Sequence, residues 1–469
     1  MKSSYDVIVI GGGPAGMSAA IAASKAGLSV LLLDEQKSLG GQIWRAVERN
    51  AEEEISDALG PDYVKGANLA KELRASAVHL CLGARVWQVE DAFKLSFSVD
   101  EKARSVTARA ILLATGAQER PNPFPGWTLP GVMTVGAAQI LMKNSAAVPS
   151  EPVWIAGSGP LPLLYMSQFL DCGGEIAGYV DTAPKSNFWR AAPLFPRALL
   201  SPKGLLKGIG WLLKLRRLGV PIFRGVTKLE ALGQERLDTV RFRTANGETI
   251  EAPARLLLAH EGVVPSIHFS RAMGCEMKWD EAQLCFVPRL NSWCETSRTN
   301  VFIAGDSGGI GGADAAVELG TIAGNGVALR LAAIDQATAQ KNAAAARQRL
   351  RRLIAMRPFL DTLYRPRAEI FSPADETLVC RCECKTAKQI RAAAKNGDAD
   401  STQVKAATRA GMGPCQGRQC GYTVAALIAE MHNLPMGSVD FFNIRSPLKP
   451  VTLGEIAALA GQHNADNAA

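Results

Sequence analysis

The sequence has 469 residues, a length that suits two or three domains better than one core. Its 47% hydrophobic and 20% charged residues are usual for a soluble globular chain, and no apolar run reaches the roughly 20 residues of a membrane span. The net charge is +8; Lys and Arg read as dispersed, with few aromatics between them, which argues against nucleic acid and for an acidic protein partner or anionic phosphates.

The N-terminus runs straight into a strand, with no cationic segment, apolar segment and cleavage site before it. The chain is therefore expected in the cytoplasm, where ten cysteines are more often buried, catalytic or metal-bound than disulfide-paired. Residues 6–10 (DVIVI) predict a short buried strand, and GGGPAG follows, with a helix starting near Met17. Gly11, Gly13 and Gly16 fill the positions of G-x-G-x-x-G, around Pro14 and Ala15. The first glycine permits the tight turn, the second the approach of a pyrophosphate, the third close helix–strand packing. A helix N-terminus then faces the phosphates with free N–H groups. The next strand, 29–33, ends in Asp34-Glu35. Either carboxylate could reach an adenosine ribose; the spacing favours Asp34.

Further along, Gly40-Gly41-Gln42 makes a loop, and Ala114-Thr115-Gly116 follows a strand ILL. Residues 153–156 (VWIA), then Gly157, Gly159 and Pro162, a helix and a strand ending at Asp181 predict a second βαβ unit inserted into the first. Proline stands at its third glycine position, where it suits a helix's first turn but not close packing. No arginine cluster follows Asp181 to hold a 2′-phosphate. NADH, another adenine nucleotide and an empty scaffold all remain open as its occupant. Residues 199–217 mix apolar and basic positions at helical spacing, either as an amphipathic helix of the insert or as a surface for a membrane or partner. Residues 300–306 (NVFIAGD) give another strand ending in Gly305-Asp306, before a Gly-rich helix start.

Cys81, Cys172, Cys275, Cys285 and Cys294 are scattered and read as core thiols. The other five crowd the C-terminal region: Cys380, Cys382 and Cys384, then Cys415 and Cys420. A C-x-C pair and a C-x4-C pair, the latter opening a helix, suit a [2Fe–2S] cluster or tetrahedral zinc. The histidines, His79, His260, His268, His432 and His463, are isolated and read as surface or satisfied core groups. No general base, Ser-His-Asp pattern or P-loop stands out, and so no catalytic residue is assigned.

The dinucleotide signals resemble, in the same order, those of flavoproteins with two dinucleotide-binding domains. That resemblance implies FAD, with Asp306 on its ribityl chain and Gly40-Gly41-Gln42 and Ala114-Thr115-Gly116 as connecting loops. The redox disulfide of pyridine nucleotide-disulfide reductases is missing. The cysteine region, with G-x-G-x-C-Q-G-R-x-C, resembles the bacterioferritin-associated-ferredoxin-type [2Fe–2S] domain fused to A (alpha) subunits of opine oxidases, hydroxyproline dehydrogenases and hydrogen cyanide synthase. Carried over, the ligands are Cys380, Cys382, Cys415 and Cys420, with Cys384 an extra thiol.

The fold class expected is therefore α/β: two nested Rossmann-like dinucleotide-binding domains of the pyridine nucleotide-disulfide oxidoreductase type, plus a small, mainly helical [2Fe–2S] domain. The boundaries expected are 1–148 with 292–345 for FAD, 149–291 for the insert, 346–375 as connector, 376–432 for the cluster and 433–469 as a C-terminal strap. The resemblance implies an electron-transfer subunit. Its substrate, an amino or imino acid of the opine or hydroxyproline class, would be oxidised at a CH–NH bond on a B (beta) flavoprotein subunit like D-amino-acid and sarcosine oxidases. A small third subunit and an FMN at the subunit interface belong to the same expectation, while peripheral contact with the inner face of the membrane is left open by the stretch 199–217. The alternatives are a standalone NAD(P)H-dependent reductase and a scaffold whose cofactor sites are structural.

Overall fold

A computed structural model describes residues 2–466, with side chains described through Leu459. The buried strands Ser4–Ile10 and Val30–Asp34 lie parallel, joined by the helix Pro14–Lys25. On the other side Ser4–Ile10 pairs in parallel with the end of the long strand Lys102–Leu113, and Val301–Ile303 adds to that same end. His79–Leu82 closes the far edge, and the near half of Lys102–Leu113 turns into an antiparallel ribbon with Lys94–Val99 and Arg85–Val89. A seven-stranded sheet results, with two distant sequence segments side by side. The helix Ala313–Arg330 locks the second segment onto Pro14–Lys25 through small residues: a Cβ on Gly320 would stand 2.2 Å from the Ala15 carbonyl oxygen.

A second, five-stranded sheet is wholly parallel and runs Ile222–Arg224, Ile176–Asp181, Val153–Gly157, Leu257–His260, Val132–Thr134. It carries a three-stranded antiparallel sheet, Lys228–Leu232, Thr239–Arg243 and Thr249–Pro253. The chain leaves the first sheet along Ala117–Glu119 and returns along Val263–Pro265, and these two strands pair. Val132–Thr134 thus belongs to the second sheet although it precedes 149. The hairpin Met277–Asp280/Cys285–Pro288, before 291, instead packs into the core under the cysteines. Both crossings are strands only three residues long, which leaves little periodicity to read.

The region 346–375 is largely structured. The helix Gln336–Leu353 runs into it, and Arg357–Leu363 follows. The cysteine region contains the strand Leu378–Cys380 and the helices Ala387–Lys395, Ser401–Thr408 and Gly421–Met431. Thr386 and Gln389 form a capping box on the first of these helices. The tail then wraps back. Phe441 and Phe442 are buried beneath the cysteine loop, Leu448 donates its N–H to the Trp87 carbonyl, and Lys449 pairs with Glu35 at 2.9 Å. The buried Glu455 pairs with Arg85 at 2.9 Å. Among the described residues no helix is long and apolar enough to cross a membrane.

Candidate dinucleotide cleft and cysteine cluster

The turn after the first strand is forced by sterics. Gly11 has φ +111°, and a Cβ there would stand 2.3 Å from the Ala114 carbonyl oxygen; one on Gly16 would stand 1.8 Å from the Gly11 carbonyl oxygen. The helix begins at Pro14, three residues before Met17, because proline suits the first helical turn. A cleft of about 1090 Å³ opens on this turn. Gly11, Gly13, Pro14, Ala15, Asp34 and Glu35 line one part of it, and Gly41, Gln42, Ala114, Thr115, Gly116 and Asp306 another. Gly16 and Gly305 lie behind the lining and serve packing; a Cβ on Gly305 would meet that of Ala15 at 2.7 Å.

The two acids at the second strand differ. Asp34 is 8% exposed and accepts from the N–H groups of Gly12 and Gln36. Burial raises its pKa against those two bonds. Glu35 points outward to Lys449. Asp306 accepts from the Gly311 and Gly312 N–H groups at 2.8 and 3.0 Å through one oxygen.

Sequence reading missed two buried cations beside this cleft. Arg45 lines it, is 7% exposed, and its Nε has no hydrogen-bond partner. Lys143 is 1% exposed, donates to the Ile43 carbonyl at 2.9 Å and lies over the Tyr63 ring. Burial, then Arg45, pushes the Lys143 pKa down to about 7. The unfolded chain therefore holds a proton that the folded chain has released, from about pH 7 up to lysine's ordinary value. Stability should climb with pH across that window, and Lys143→Met should flatten the climb. Denaturant midpoints measured across the window test this; parallel curves for the two proteins would refute it.

The cleft continues into the second sheet along Ser158, Gly159, Pro160 and His260. Gly159 caps the helix Pro160–Asp171, so Pro162 sits in its first turn. His260 is buried and pairs with Glu119 at 2.7 Å. Asp181 pairs in register with Arg224, an arginine that adjacency in sequence did not reveal. Burial pushes the Asp181 pKa up to about 6. Tyr364, from the 346–375 region, lies close enough to feel both charges. Arg367 of that region makes a buried pair with Glu261 at 3.1 Å.

The cysteines fall into two groups. Cys275, Cys285 and Cys294 are buried and Cys81 and Cys172 half-buried, all as free thiols. Burial pushes the Cys285 and Cys294 pKa values up to about 12, which keeps them neutral. Cys380, Cys382, Cys415 and Cys420 come together. The Cys420 thiol and the N–H groups of Gly411, Glu383 and Cys382 face the Cys380 sulfur and pull its pKa down to about 6. Cys382 receives the Cys415 N–H, and its own thiol donates to the Cys415 sulfur. Cys420 is held far above the ordinary thiol range, first by its bond to Cys380, then by burial and the charges of Cys380, Cys415 and Cys382. Four such thiols cannot all ionise together without a cation, and amide N–H groups already aim at the sulfurs; this donor set fits a metal cluster. Among the described residues no three candidate ligands converge on one metal position. Two thiol pairs suit a binuclear centre better than a single zinc ion. Cys384 stands apart, its thiol 3.8 Å from the Arg381 carbonyl.

The two sites touch. Gln118, in the cleft lining, donates to the Arg418 carbonyl at 2.8 Å, and His268 meets the Gln416 carbonyl at 3.0 Å. Burial, then Arg418, pushes the His268 pKa down to about 3, so its neutral ring donates to that carbonyl. Arg381, Arg418 and Gln419 also line the cleft. Trp127 donates to the Leu378 carbonyl at 2.6 Å. His432 meets the Ala394 carbonyl, His79 packs edge-on against Tyr5, and the His463 side chain lies outside the described residues.

Comparison with known proteins agrees with this geometry. Residues 5–186 match the model of the pyridine nucleotide-disulphide oxidoreductase family, and residues 378–430 that of the BFD-like [2Fe-2S] binding domain. The chain is 42% identical to the A subunit of opine oxidase from Agrobacterium tumefaciens (strain Ach5), over 97% of this chain and 92% of that one. It is 31% identical to the hydrogen cyanide synthase subunit HcnB of Pseudomonas protegens, over 96% of each. The crystal structure of L-proline dehydrogenase from P. horikoshii shares the fold, with a TM-score of 0.70 at 20% identity over 97% of this chain and 79% of that one.

Proposed function

The chain belongs to the family of opine oxidase A subunits, and from that premise we propose that it relays electrons inside a heteromeric, flavin-dependent dehydrogenase. The family models give it a flavin domain and a [2Fe–2S] domain. FAD and the cluster supply storage and one-electron transfer when bound. In this reading the turn Gly11–Gly16 holds the FAD diphosphate, Asp34 its ribose and Asp306 its ribityl chain. Gly41, Gln42 and the Ala114-Thr115-Gly116 loop close around it. Cys380, Cys382, Cys415 and Cys420 are the cluster ligands. The observation that carries the proposal is the contact from Gln118 and His268 to the loop between Cys415 and Cys420, which gives electrons a short bonded path between the two sites.

The substrate class is an amino or imino acid, of opine or hydroxyproline type, oxidised at its CH–NH bond. Its binding site lies on a B flavoprotein subunit, a reading supported by the relatives being A subunits of opine oxidase. An FMN at the subunit interface and a third, small subunit complete the assembly. An adenine nucleotide occupies the second part of the cleft, at the helix N-terminus beside Ser158 and Gly159.

The test compares the chain purified alone and with its B subunit, without oxygen. Alone it should contain flavin, iron and sulfide yet oxidise opines and hydroxyproline barely at all; together the activity should appear. Full-rate oxidation by the isolated chain would overturn the relay. Fast bleaching of its flavin by NADH would move the reading to a standalone reductase.

A further inference from the structure

The second part of the cleft begins at a helix end that is short of donors. The strand Val153–Gly157 turns through Ser158 and Gly159 into the helix Pro160–Asp171. A turn of this kind holds a phosphate with the free N–H groups of the first helical residues. Here two of the first three are prolines, Pro160 and Pro162, which have no N–H. Among the three only Leu161 can donate. The Ser158 N–H is already bonded to the His260 carbonyl at 3.1 Å. The backbone by itself is therefore a poor anion site.

His260 stands beside the missing donors. It ends the strand Leu257–His260, in register with Gly157 of the neighbouring strand. Its side chain is 3% exposed and lines the cleft. Gly159 has φ +121°, and a Cβ there would stand 3.9 Å from the His260 Nε2, so that edge of the ring faces the turn. Nδ1 meets the Glu119 carboxylate at 2.7 Å. Nε2 has no hydrogen-bond partner among the described residues. A histidine that sequence reading took for a satisfied core group is satisfied on one side only.

Glu119 sets the direction of the ring. Its second oxygen accepts from the Gly136 N–H at 3.0 Å, in the first turn of the helix Val135–Ser145. A Cβ on Gly136 would come within 2.7 Å of that oxygen, so glycine is what lets the carboxylate sit there. A carboxylate accepts, so Nδ1 carries a proton and Nε2 is the atom left for a ligand. As an imidazolium the ring donates to Glu119 through Nδ1 and to a phosphate oxygen through Nε2. Leu161, Leu164 and Trp211 line the cleft as well and offer apolar surface to the rest of a nucleotide.

We propose that His260, backed by Glu119, binds a phosphate group at the Gly159 turn, in place of the amide donors that Pro160 and Pro162 remove. The inference rests on the reading that an adenine nucleotide lies in this part of the cleft.

The assembled complex, with flavin bound so that the first glycine turn is filled, is titrated by calorimetry with ADP, adenosine and inorganic pyrophosphate. ADP should bind, and His260→Gln should raise its dissociation constant by about tenfold to hundredfold with flavin and iron unchanged. Adenosine, which has no phosphate, should bind the parent and the variant alike. Pro162→Ala returns an N–H to the third helical position. It should tighten ADP binding in the parent and recover part of the loss in the His260→Gln background. The proline variant leaves His260 in place, so the test survives misfolding of the histidine variant. No ADP binding by the unmodified complex overturns the nucleotide reading, and this inference with it. ADP binding unchanged in His260→Gln, adenosine weakened as much as ADP, or no gain from Pro162→Ala overturns this inference alone. Pyrophosphate bound as tightly as ADP would keep His260 as the phosphate ligand and make free diphosphate the source.

Discussion

Replacing Cys420 by serine should strip iron and sulfide from the chain and leave its flavin in place. Cys420 is fully buried at the start of the helix Gly421–Met431, and its thiol bonds to Cys380. A hydroxyl is a poor ligand for an iron that expects thiolate, and one lost ligand in four opens the cluster to solvent and loss. The flavin should remain because the Gly11–Gly16 turn and Asp306 are built on the seven-stranded sheet. Cys384→Ser is the control. Its thiol is exposed and turned to the Arg381 carbonyl, so that variant should keep its full iron. Iron, sulfide and flavin per chain, with the visible spectrum, decide between them. Retention of iron by the Cys420 variant, or equal loss in both, contradicts the ligand set. Zinc in the unmodified protein contradicts the cluster itself.

What could be read from the sequence was local or steric. Gly11 and Gly16 are dictated by carbonyl oxygens that leave no room for a Cβ, and such constraints surface as a motif. The cysteines were legible because thiol density has no packing explanation. Contacts between distant segments were not legible. The arginines of 346–375 read as a connector, yet Arg349 binds Glu318, Arg365 binds Glu281 and Arg367 binds Glu261. Each partner lies tens of residues away, where no periodicity links the two. Val132–Thr134 looked like part of the first domain because a short half-buried strand gives no alternation to count. Arg45 and Lys143 look like ordinary surface cations until the fold buries them.

Arg45 leads to the second large effect. A buried guanidinium with an unsatisfied Nε is expensive to desolvate, and its field already acts on Asp34 at the ribose end of the cleft. An anion of the dinucleotide is the partner this position calls for, and the diphosphate is the anion the glycine turn would hold nearby. Arg45→Met should therefore raise the dissociation constant for FAD by on the order of tenfold to hundredfold, the cost of losing a charged hydrogen bond. Titration of flavin-free protein with FAD, read by flavin fluorescence, measures it. Stability separates pairing from packing. If Arg45 only filled space, the flavin-free variant would melt earlier than the flavin-free parent. If it waits for a phosphate, removing an unpaired buried charge should leave that melting temperature equal or higher, while the gain that FAD confers shrinks. Unchanged FAD affinity would exclude the pairing whatever the melting temperature does.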